Sequence, residues 1–397
     1  MIAKKNFLNE IELILLCTRP KINDEVQEEI HINRLRSLNW DFIFYQSRRH
    51  RIIPLIYSYI KKIDNAHWIP SKILINFQRE YYASTYISLV LWNELKQISE
   101  ILKKNNLQFI PFRGVVFSEE FYFNLGLRPT SDIDILIHRV DYNKFISLIT
   151  DFGYREHSLK GYYIIRNYPI IFYKIKNGVP IYIDLFQEHF FSGFGLFNER
   201  KISESIWGKT RKVQLWEQNL ILLSLEDTFL HTVVKIKDFQ TKLRYICDAS
   251  RLLQFYKQFD WEYLSDMARQ SYLKTACYFT LKLTRDLLKI YIPNQVIDKF
   301  TPNAVSITFI NSCIDEKRCL FLHKKVSSVS KYIILYILII LEKLKDVLIY
   351  ILSMSYDEFK SDAFLKRDSF RLKFIYYIRV IYIPFVKLIE ILRVRIK

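Results

Sequence analysis

Two aspartates, two residues apart, interrupt an otherwise apolar segment of the chain. The segment SDIDILIH alternates between polar and apolar residues from Asp132 to Ile135, which is typical of a β-strand. Side chains at positions i and i+2 of a strand point to the same face, so Asp132 and Asp134 share one face and the isoleucines can be buried on the other. Such a charged pair is costly in an apolar strand, and its carboxylates repel each other unless a cation lies between them.

A third aspartate lies in a second predicted strand, IYIDLF, where Asp184 again faces away from its apolar neighbours. If this strand pairs beside the first, three carboxylates meet at the surface of the sheet. Mg²⁺ prefers a few carboxylates together with phosphate oxygens and water. The pattern therefore meets the requirement of a two-metal phosphoryl or nucleotidyl transfer site, in which one ion holds a triphosphate and the other activates the attacking hydroxyl.

Glycine is scarce, with eight residues in a chain of 397, whereas roughly 7% is usual. This composition argues against a nucleotide cradle built from several glycines. In FIPFRG a predicted strand runs into a turn, and Gly114 opens the helix that follows it. The triplet at 208–210, Gly-Lys-Thr, imitates the end of a P-loop, but Ser203 stands where that pattern needs another glycine.

The order of predicted elements indicates an α+β protein. Between residues 107 and 190 the order is β-α-β-α-β-β, which predicts a small mixed sheet covered by helices, with a hairpin turning at Asn177-Gly178. The chain is predicted to return to helix from about 215, and Ser224 followed by Asp227 predicts a helix start. We predict three regions: a helical N-terminal region (1–105), an α/β core (106–214) and a helical C-terminal region with a basic aromatic tail (215–397).

The run FIPFRGVVFSEEFYFNLGLRPTSDIDILI resembles the signature of the uncharacterised nucleotidyltransferase family within the DNA polymerase β superfamily. Members typically show a basic residue plus Gly, an aromatic, Arg-Pro and then Asp-Ile-Asp; a later strand carries Asp-Leu, here Asp184-Leu185. RRHRIIPLIY near the start, LSLED with His231, and LRYICD also resemble family segments. The resemblance covers about residues 10–260 in order.

The resemblance implies a polymerase-β-like fold for the core and transfer of a nucleoside monophosphate from an NTP to a hydroxyl acceptor, with release of pyrophosphate. It implies that Asp132 and Asp134 ligate two Mg²⁺ ions, with Mn²⁺ as the alternative metal. Asp184 would complete the catalytic ion and help to deprotonate the acceptor hydroxyl. The acceptor remains open between a small molecule, a peptide natural product, a protein hydroxyl and RNA.

The same resemblance implies the residues that bind the NTP. Gly114 would let the backbone approach the phosphates at a helix start, where N–H groups and the helix dipole favour anions. Arg113 and Arg128 would neutralise phosphate charge. His231 and Lys235 lie four residues apart on one helical face, and two alternatives stay open for them: contact with the nucleotide or acceptor, or packing on that helix.

The sequence departs from the family pattern at three positions. Val115 follows the glycine where the wider superfamily places a serine, Arg113 replaces a lysine, and Phe186 stands where relatives often carry a histidine; His189 lies nearby. Because all three aspartates of the family pattern are present, these departures affect phosphate binding and the choice of acceptor more than the type of reaction.

The chain is strongly basic, with 59 Lys and Arg against 41 Asp and Glu, a net charge of +18. Such an excess attracts anions. The tail at 360–397 has a net charge of +7 with aromatics interleaved, which predicts contact with an anionic membrane, contact with RNA, or a solvated face of a packing helix. A rival function is therefore a catalytically degenerate basic binding protein for RNA or an anionic membrane.

The predicted location is the cytoplasm, with a peripheral membrane position as the alternative through the tail. Five cysteines without a C-x-x-C pair are typical of reduced, buried thiols. The apolar run at 332–341 is ten residues long, whereas a membrane-spanning helix needs about 20, so no transmembrane span is predicted.

Overall fold

The computed structural model describes residues 8–20, 37–62, 69–157, 170–176, 178–187, 199–237, 242–271, 273–302 and 307. Predictions for His189, for the apolar run at 332–341 and for the tail at 360–397 concern residues outside this part of the chain. Within the described ranges, none of the helices combines the length and the apolar character that crossing a membrane requires.

Helices precede the sheet, as the sequence predicts. They are α1 (Leu8–Thr18), α2 (Trp40–Arg49), α3 (Ile53–Ile60) and the 34-residue α4 (Ser71–Lys104). The start of α2 is capped by Asn39, whose side chain accepts a hydrogen bond from the backbone N–H of Phe42. Apolar residues of these helices, such as Ile14, Ile56 and Phe77, enter a common core with helices that follow the sheet.

The central sheet is small and mixed, which confirms the predicted α+β class. Its strands are β1 (Phe109–Phe112), β2 (Asp132–Ile137), β3 (Arg155–Glu156), β4 (Ile170–Lys176) and β5 (Val179–Phe186). The spatial order is β1-β2-β5-β4-β3; β2 and β5 pair in parallel, and the other neighbours are antiparallel. Helices α5 (Gly114–Tyr122) and α6 (Tyr142–Asp151) connect the first strands.

One face of the sheet is apolar and packs against α4 and α6. Ile133, Ile135 and Ile183 on this face are fully or almost fully buried and join Leu95 of α4 and Phe145 of α6 in a second core cluster. The alternation read from the sequence therefore fixes the orientation of β2 and β5, and the aspartates lie on the opposite face.

A hairpin stands where the sequence predicted a return to helix from about residue 215. It comprises β6 (Arg211–Leu215) and β7 (Gln218–Leu222), after helix α7 (Glu199–Gly208). The turn has no glycine, and Trp216 itself adopts the positive φ, 48°, that glycine would usually supply. The Trp216 indole donates a hydrogen bond to Glu119 and packs edge-on against Trp92. These tertiary contacts hold the turn in place. It lacks the Asn-Gly pair that usually marks a hairpin in a sequence.

The chain after the hairpin is helical, as predicted. The helices are α8 (Leu225–Lys237), α9 (Leu243–Leu252), a 3-10 segment (Leu253–Gln258), α10 (Trp261–Gln270), α11 (Lys274–Leu288) and α12 (Asn294–Lys299). Ser224 caps α8 as predicted, since its hydroxyl accepts a hydrogen bond from the backbone N–H of Asp227 at 3.0 Å.

A buried carboxylate joins α4 to the sheet. Glu94 is 0% exposed and accepts hydrogen bonds from the Tyr154 hydroxyl at 3.1 Å and from Lys176 at 2.7 Å. Lys174 forms an ion pair with the same carboxylate. Burial opposes ionisation of Glu94, but the bonds from the two lysines outweigh it and hold its pKa below its ordinary value.

We expect Glu94→Gln to lower the free energy of unfolding by about 2–4 kcal/mol at pH 7, because it leaves two lysines beside an apolar core without their counter-charge. The folded-state pKa is lowered, so the contribution of Glu94 is present above the unfolded pKa near 4.5 and is lost as pH falls through the folded value. Chemical unfolding at pH 7 and pH 4 measures both effects. Glu100→Gln on the exposed face of α4 is the matched control, and equal losses in the two variants would contradict this role.

Candidate functional site

The parallel pairing of β2 with β5 brings the predicted aspartates together. Asp134 lies directly opposite Asp184, and Asp132 lies opposite Tyr182. Neighbouring strands are about 4.8 Å apart, and directly opposed residues project to the same face. Asp134 is 4% exposed, whereas Asp132 and Asp184 are partly exposed. The three carboxylates thus share one face, with one buried and two open to solvent.

The site is electrostatically costly for its carboxylates. Burial raises the pKa of Asp134 to about 7; Arg113 opposes this shift, while Asp132 and Asp184 add to it. Burial and the charge of Asp132 raise the pKa of Asp184 to about 6, against the effect of Arg113 and Lys235. Because each shift disfavours the charged form, an added cation at this face would stabilise the ionised carboxylates.

Arg113 contacts the buried aspartate. Its NH2 lies 2.8 Å from Oδ1 of Asp134, and its guanidinium lies over the rings of Phe112 and Phe186, at 4.9 and 5.3 Å. Phe186, at the position where relatives often carry histidine, therefore packs on the predicted phosphate-binding arginine. The backbone of Arg113 has φ 58° and ψ −152°, a conformation that side-chain-bearing residues rarely adopt and that is often found at functional sites.

The donor set fits a divalent cation that arrives with phosphates. Although the Arg113 guanidinium is close, the geometry is not that of a hydrogen bond, and buried Oδ1 of Asp134 has no hydrogen-bond partner among the described residues. Within those residues, no three Asp, Glu, His or Cys side chains converge as a preformed metal cluster. Mg²⁺ commonly needs only one or two carboxylates, with substrate phosphates and water completing its shell.

Gly114 packs directly against the strand that carries the aspartates. A Cβ atom at this position would lie 3.0 Å from the carbonyl oxygen of Asp132 and 3.2 Å from Oγ1 of Thr130, and φ is +46°. The Ser118 hydroxyl donates a hydrogen bond to the Gly114 carbonyl at 3.0 Å. The turn therefore requires glycine for two reasons, its backbone conformation and its closeness to β2.

We expect Gly114→Ala to destabilise the protein by about 1–3 kcal/mol and to weaken NTP binding, because the added methyl group pushes the turn away from β2. Gly178→Ala is the matched control, since φ is +76° there but nothing lies within 4 Å of an added Cβ. Thermal unfolding and NTP titration of both variants measure the difference. The same loss in both would mean that backbone strain alone, without the close approach to Asp132, explains the effect.

Arg128 is buried behind the turn. Its Nε and NH2 donate to Oδ1 and Oδ2 of Asp248, both at 2.9 Å, and its NH1 donates to the Gly114 carbonyl at 3.3 Å. The structure thus gives Arg128 a positioning role, in which it connects the turn to α9. The direct phosphate contact implied by the family resemblance stays a prediction.

The partner of Asp248 differs from the one that helical spacing suggested. The i,i+4 spacing of Arg244 and Asp248 on one helix predicts an ion pair between them, but Asp248 pairs with Arg128 and also accepts a hydrogen bond from the Tyr122 hydroxyl at 2.7 Å. Arg244 instead donates to the Pro129 carbonyl at 2.7 Å. The residue that orients Arg128 was missed because 120 positions separate the two in sequence.

His231 and Lys235 both lie on α8 beside this face. His231 is buried, packs against the ring of Phe112 at 5.1 Å and lines the same small cleft as Arg113. Burial, together with the charges of Arg113 and Lys235, holds its pKa well below the ordinary value, so it is neutral. Lys235 is partly exposed, and its charge lowers the pKa of Asp134 and of Asp184 against their overall shift. His231 thus packs against β1, while Lys235 acts on the carboxylates.

Comparison with known proteins identifies the class. The sequence model described as "Uncharacterised nucleotidyltransferase" matches residues 36–289. The match spans more than half of the chain, and the chain therefore belongs to this family. This membership supports a general role in nucleotidyl transfer, and the matched region includes all the site residues described above.

Two further comparisons are weaker. No curated protein matches the sequence. Among solved structures, the crystal structure of an antigenic nucleotidyltransferase-like protein from Paracoccidioides brasiliensis is similar, with 13% sequence identity and a TM-score of 0.31; the alignment covers 49% of this chain and 91% of that chain.

Proposed function

We propose that the protein is a Mg²⁺-dependent nucleotidyltransferase of the DNA polymerase β superfamily. It would transfer a nucleoside monophosphate from an NTP to a hydroxyl acceptor and release pyrophosphate. The observation that carries the proposal is the parallel register of β2 and β5, which places Asp134 opposite Asp184 on the same face as Asp132. A buried carboxylate with a raised pKa in this trio supports a site that is completed by a cation.

Asp132 and Asp134 would hold the metal ions, Mg²⁺ or Mn²⁺, and Asp184 would contribute to the second. When bound, the ions would neutralise the triphosphate and favour the ionised acceptor hydroxyl. The acceptor oxygen forms a new bond to the α-phosphorus, and the bond from that phosphorus to the bridging oxygen of pyrophosphate breaks. Asp184, which is partly exposed, would take the proton of the acceptor hydroxyl.

Cationic groups around the aspartates would bind the triphosphate. Arg113 pairs with Asp134 in this structure and would exchange that carboxylate for a phosphate oxygen, since bidentate contacts of arginine suit both groups. Lys235 would add a second positive charge. The turn at Gly114 opens α5 and would present backbone N–H groups to phosphate oxygens.

An assay with four α-labelled NTPs tests this function. The full chain would be incubated with each NTP, Mg²⁺ and cell extract as the source of acceptor. We expect one NTP to label an acceptor, with release of pyrophosphate and loss of labelling in EDTA. Failure of all four NTPs to bind or transfer, together with salt-sensitive binding of RNA or anionic vesicles, would contradict the proposal and favour the basic binding protein.

A further inference from the structure

Two cations are brought together by a buried hydrogen bond between a helix that precedes the sheet in the chain and one that follows it. The backbone N–H of Leu243, the first residue of α9, donates to Nδ1 of His50 at 3.1 Å. His50 ends α2 and is buried. The bond therefore places the next residue, Arg51, beside the residue that precedes Leu243, which is Lys242. Arg51 is exposed and Lys242 is partly exposed.

The start of α9 carries positive charge. Lys242 occupies the N-cap position, where its side chain cannot accept a hydrogen bond, and the first turn contains no acidic residue. The N-terminal end of the helix dipole adds further positive potential. Among the described residues, neither Arg51 nor Lys242 has an acidic partner within ion-pair distance.

A buried arginine connects this patch to the aspartate face. Arg244 is 7% exposed, and it donates to the Pro129 carbonyl at 2.7 Å and to the Tyr245 hydroxyl at 3.1 Å. Pro129 lies three residues before Asp132 on the segment that enters β2. The buried Nε of Arg244 has no hydrogen-bond partner among the described residues, so this guanidinium adds an incompletely satisfied positive charge beneath the patch.

The cations act on one another as one group. Burial lowers the pKa of Lys242, and the charges of Arg51 and Arg244 lower it further. Burial opposes ionisation of Tyr245, but Arg244, Lys235 and Arg128 outweigh it, so the pKa of that phenol is lowered. Positive potential thus extends from Lys235 beside the carboxylates to the start of α9. Cations that lower one another's pKa in this way are costly to the fold unless they serve a ligand.

We propose that Arg51, Lys242 and Arg244 form a second phosphate-binding subsite beside the aspartate face. Its ligand is a phosphate group, either of the NTP tail or of a phosphorylated acceptor. The identity of that ligand rests on the proposed nucleotidyl transfer, whereas the existence of the subsite rests on the geometry of α9. The aspartates would then hold the metal ions at the reacting phosphate, and this subsite would bind a second phosphate group of the NTP or of the acceptor.

Binding of inorganic pyrophosphate in EDTA tests the subsite without metal. The variant is Arg51→Gln with Lys242→Gln, which leaves the buried Arg244 and its structural bonds in place. We expect its dissociation constant to rise about five- to tenfold, as loss of two charged phosphate contacts allows. Lys257→Gln is the control, since this exposed lysine follows the C-terminal end of α9, and it should bind within about twofold of wild type. Equal pyrophosphate affinity in the double variant and the control, with both folded by circular dichroism, overturns the subsite.

Titration with Mg²⁺ and each NTP then distinguishes the two sources of phosphate. A matching loss of NTP affinity in the double variant assigns the subsite to the NTP tail. The other outcome is an unchanged affinity for NTP, with weaker binding of pyrophosphate to the double variant when Mg·NTP is saturating. This outcome assigns the subsite to a phosphate of the acceptor. If wild type transfers no nucleotide but the double variant still loses pyrophosphate binding, the proposed function fails and the anion subsite stands.

Discussion

The Asp134→Asn protein is expected to lose nucleotidyl transfer by a factor of about 10³ or more, and yet to be more stable than wild type at pH 8. The loss of activity follows because the substitution removes a carboxylate that would hold a metal ion against the triphosphate. The gain in stability follows because Asp134 is nearly buried, and its ionisation opposes folding in the absence of metal. Functional groups that are costly to the fold are typical of active sites.

The effect of the Asp134→Asn substitution on stability depends on pH. Burial raises the folded-state pKa of Asp134 to about 7 from an ordinary value of 3.8. The stability linked to this group is therefore complete below the unfolded pKa and is lost as pH rises through the folded pKa. Asparagine does not titrate, so we expect the stability difference between variant and wild type to grow by about 2–3 kcal/mol between pH 5 and pH 8.

Chemical unfolding in EDTA at the two pH values measures the difference. Asp151→Asn, at an exposed position near the end of α6, is the control and should change neither activity nor stability. A destabilisation of the Asp134 variant that is the same at both pH values would instead indicate a structural role for the carboxylate. Retention of transfer activity would remove Asp134 from the proposed chemistry.

Breaking the Arg128–Asp248 pair is expected to have the largest effect on stability. Asp248→Ala leaves Arg128, 5% exposed, without the carboxylate that accepts two of its hydrogen bonds. It also deprives the Tyr122 hydroxyl of its acceptor. An uncompensated buried charge costs about 3–5 kcal/mol, so the variant should unfold at much lower denaturant concentration.

The same pair should affect substrate binding through the turn. Arg128 also donates to the carbonyl of Gly114, so a displaced guanidinium releases the turn that would hold phosphates. We expect a higher dissociation constant for Mg·NTP, with a smaller change in the rate of the bound complex. A structural role without positioning would lower stability and leave the dissociation constant of the folded fraction unchanged.

A variant without either charge separates the cost of an unpaired charge from the loss of the pair. Arg128→Met with Asp248→Leu removes both charges and should be more stable than the Asp248→Ala variant, since replacing a buried pair is less costly than breaking it. Asp266→Ala, which removes an exposed ion pair with Arg269, is the control and should cost less than about 1 kcal/mol. A cost for Asp248→Ala as small as that of the control would contradict the account of the pair.

The sequence predicted the structure correctly where the spacing of apolar residues along one segment determines it. The alternation of β2 and β5 predicted which face carries Asp132, Asp134 and Asp184, because a strand has no other way to bury its isoleucines. The pairing of the two strands was a conditional prediction, and the register confirmed it. The turn at Gly114 was also predicted, since glycine is scarce in this chain and this one opens a helix.

Contacts between segments that are distant in the chain could not be predicted from the sequence. Nothing near Arg128 indicates Asp248, and the i,i+4 spacing of Arg244 and Asp248 suggested the wrong partner. The hairpin of β6 and β7 was missed because Trp216 turns the chain through tertiary contacts, with no glycine or asparagine as a local signal. The patch at Arg51 and Lys242 likewise depends on the bond between His50 and Leu243, which joins segments 193 positions apart.

Counting the metal ions bound with a non-hydrolysable NTP tests the proposed two-metal site most directly. Mn²⁺ reports its own binding by electron paramagnetic resonance, so the full chain, the Asp132→Asn/Asp134→Asn variant and the Asp151→Asn control can be titrated in parallel. We expect two tightly bound Mn²⁺ ions in wild type and in the control, and none in the double variant. Equal binding of Mn²⁺ and NTP in all three proteins would contradict the two-metal site.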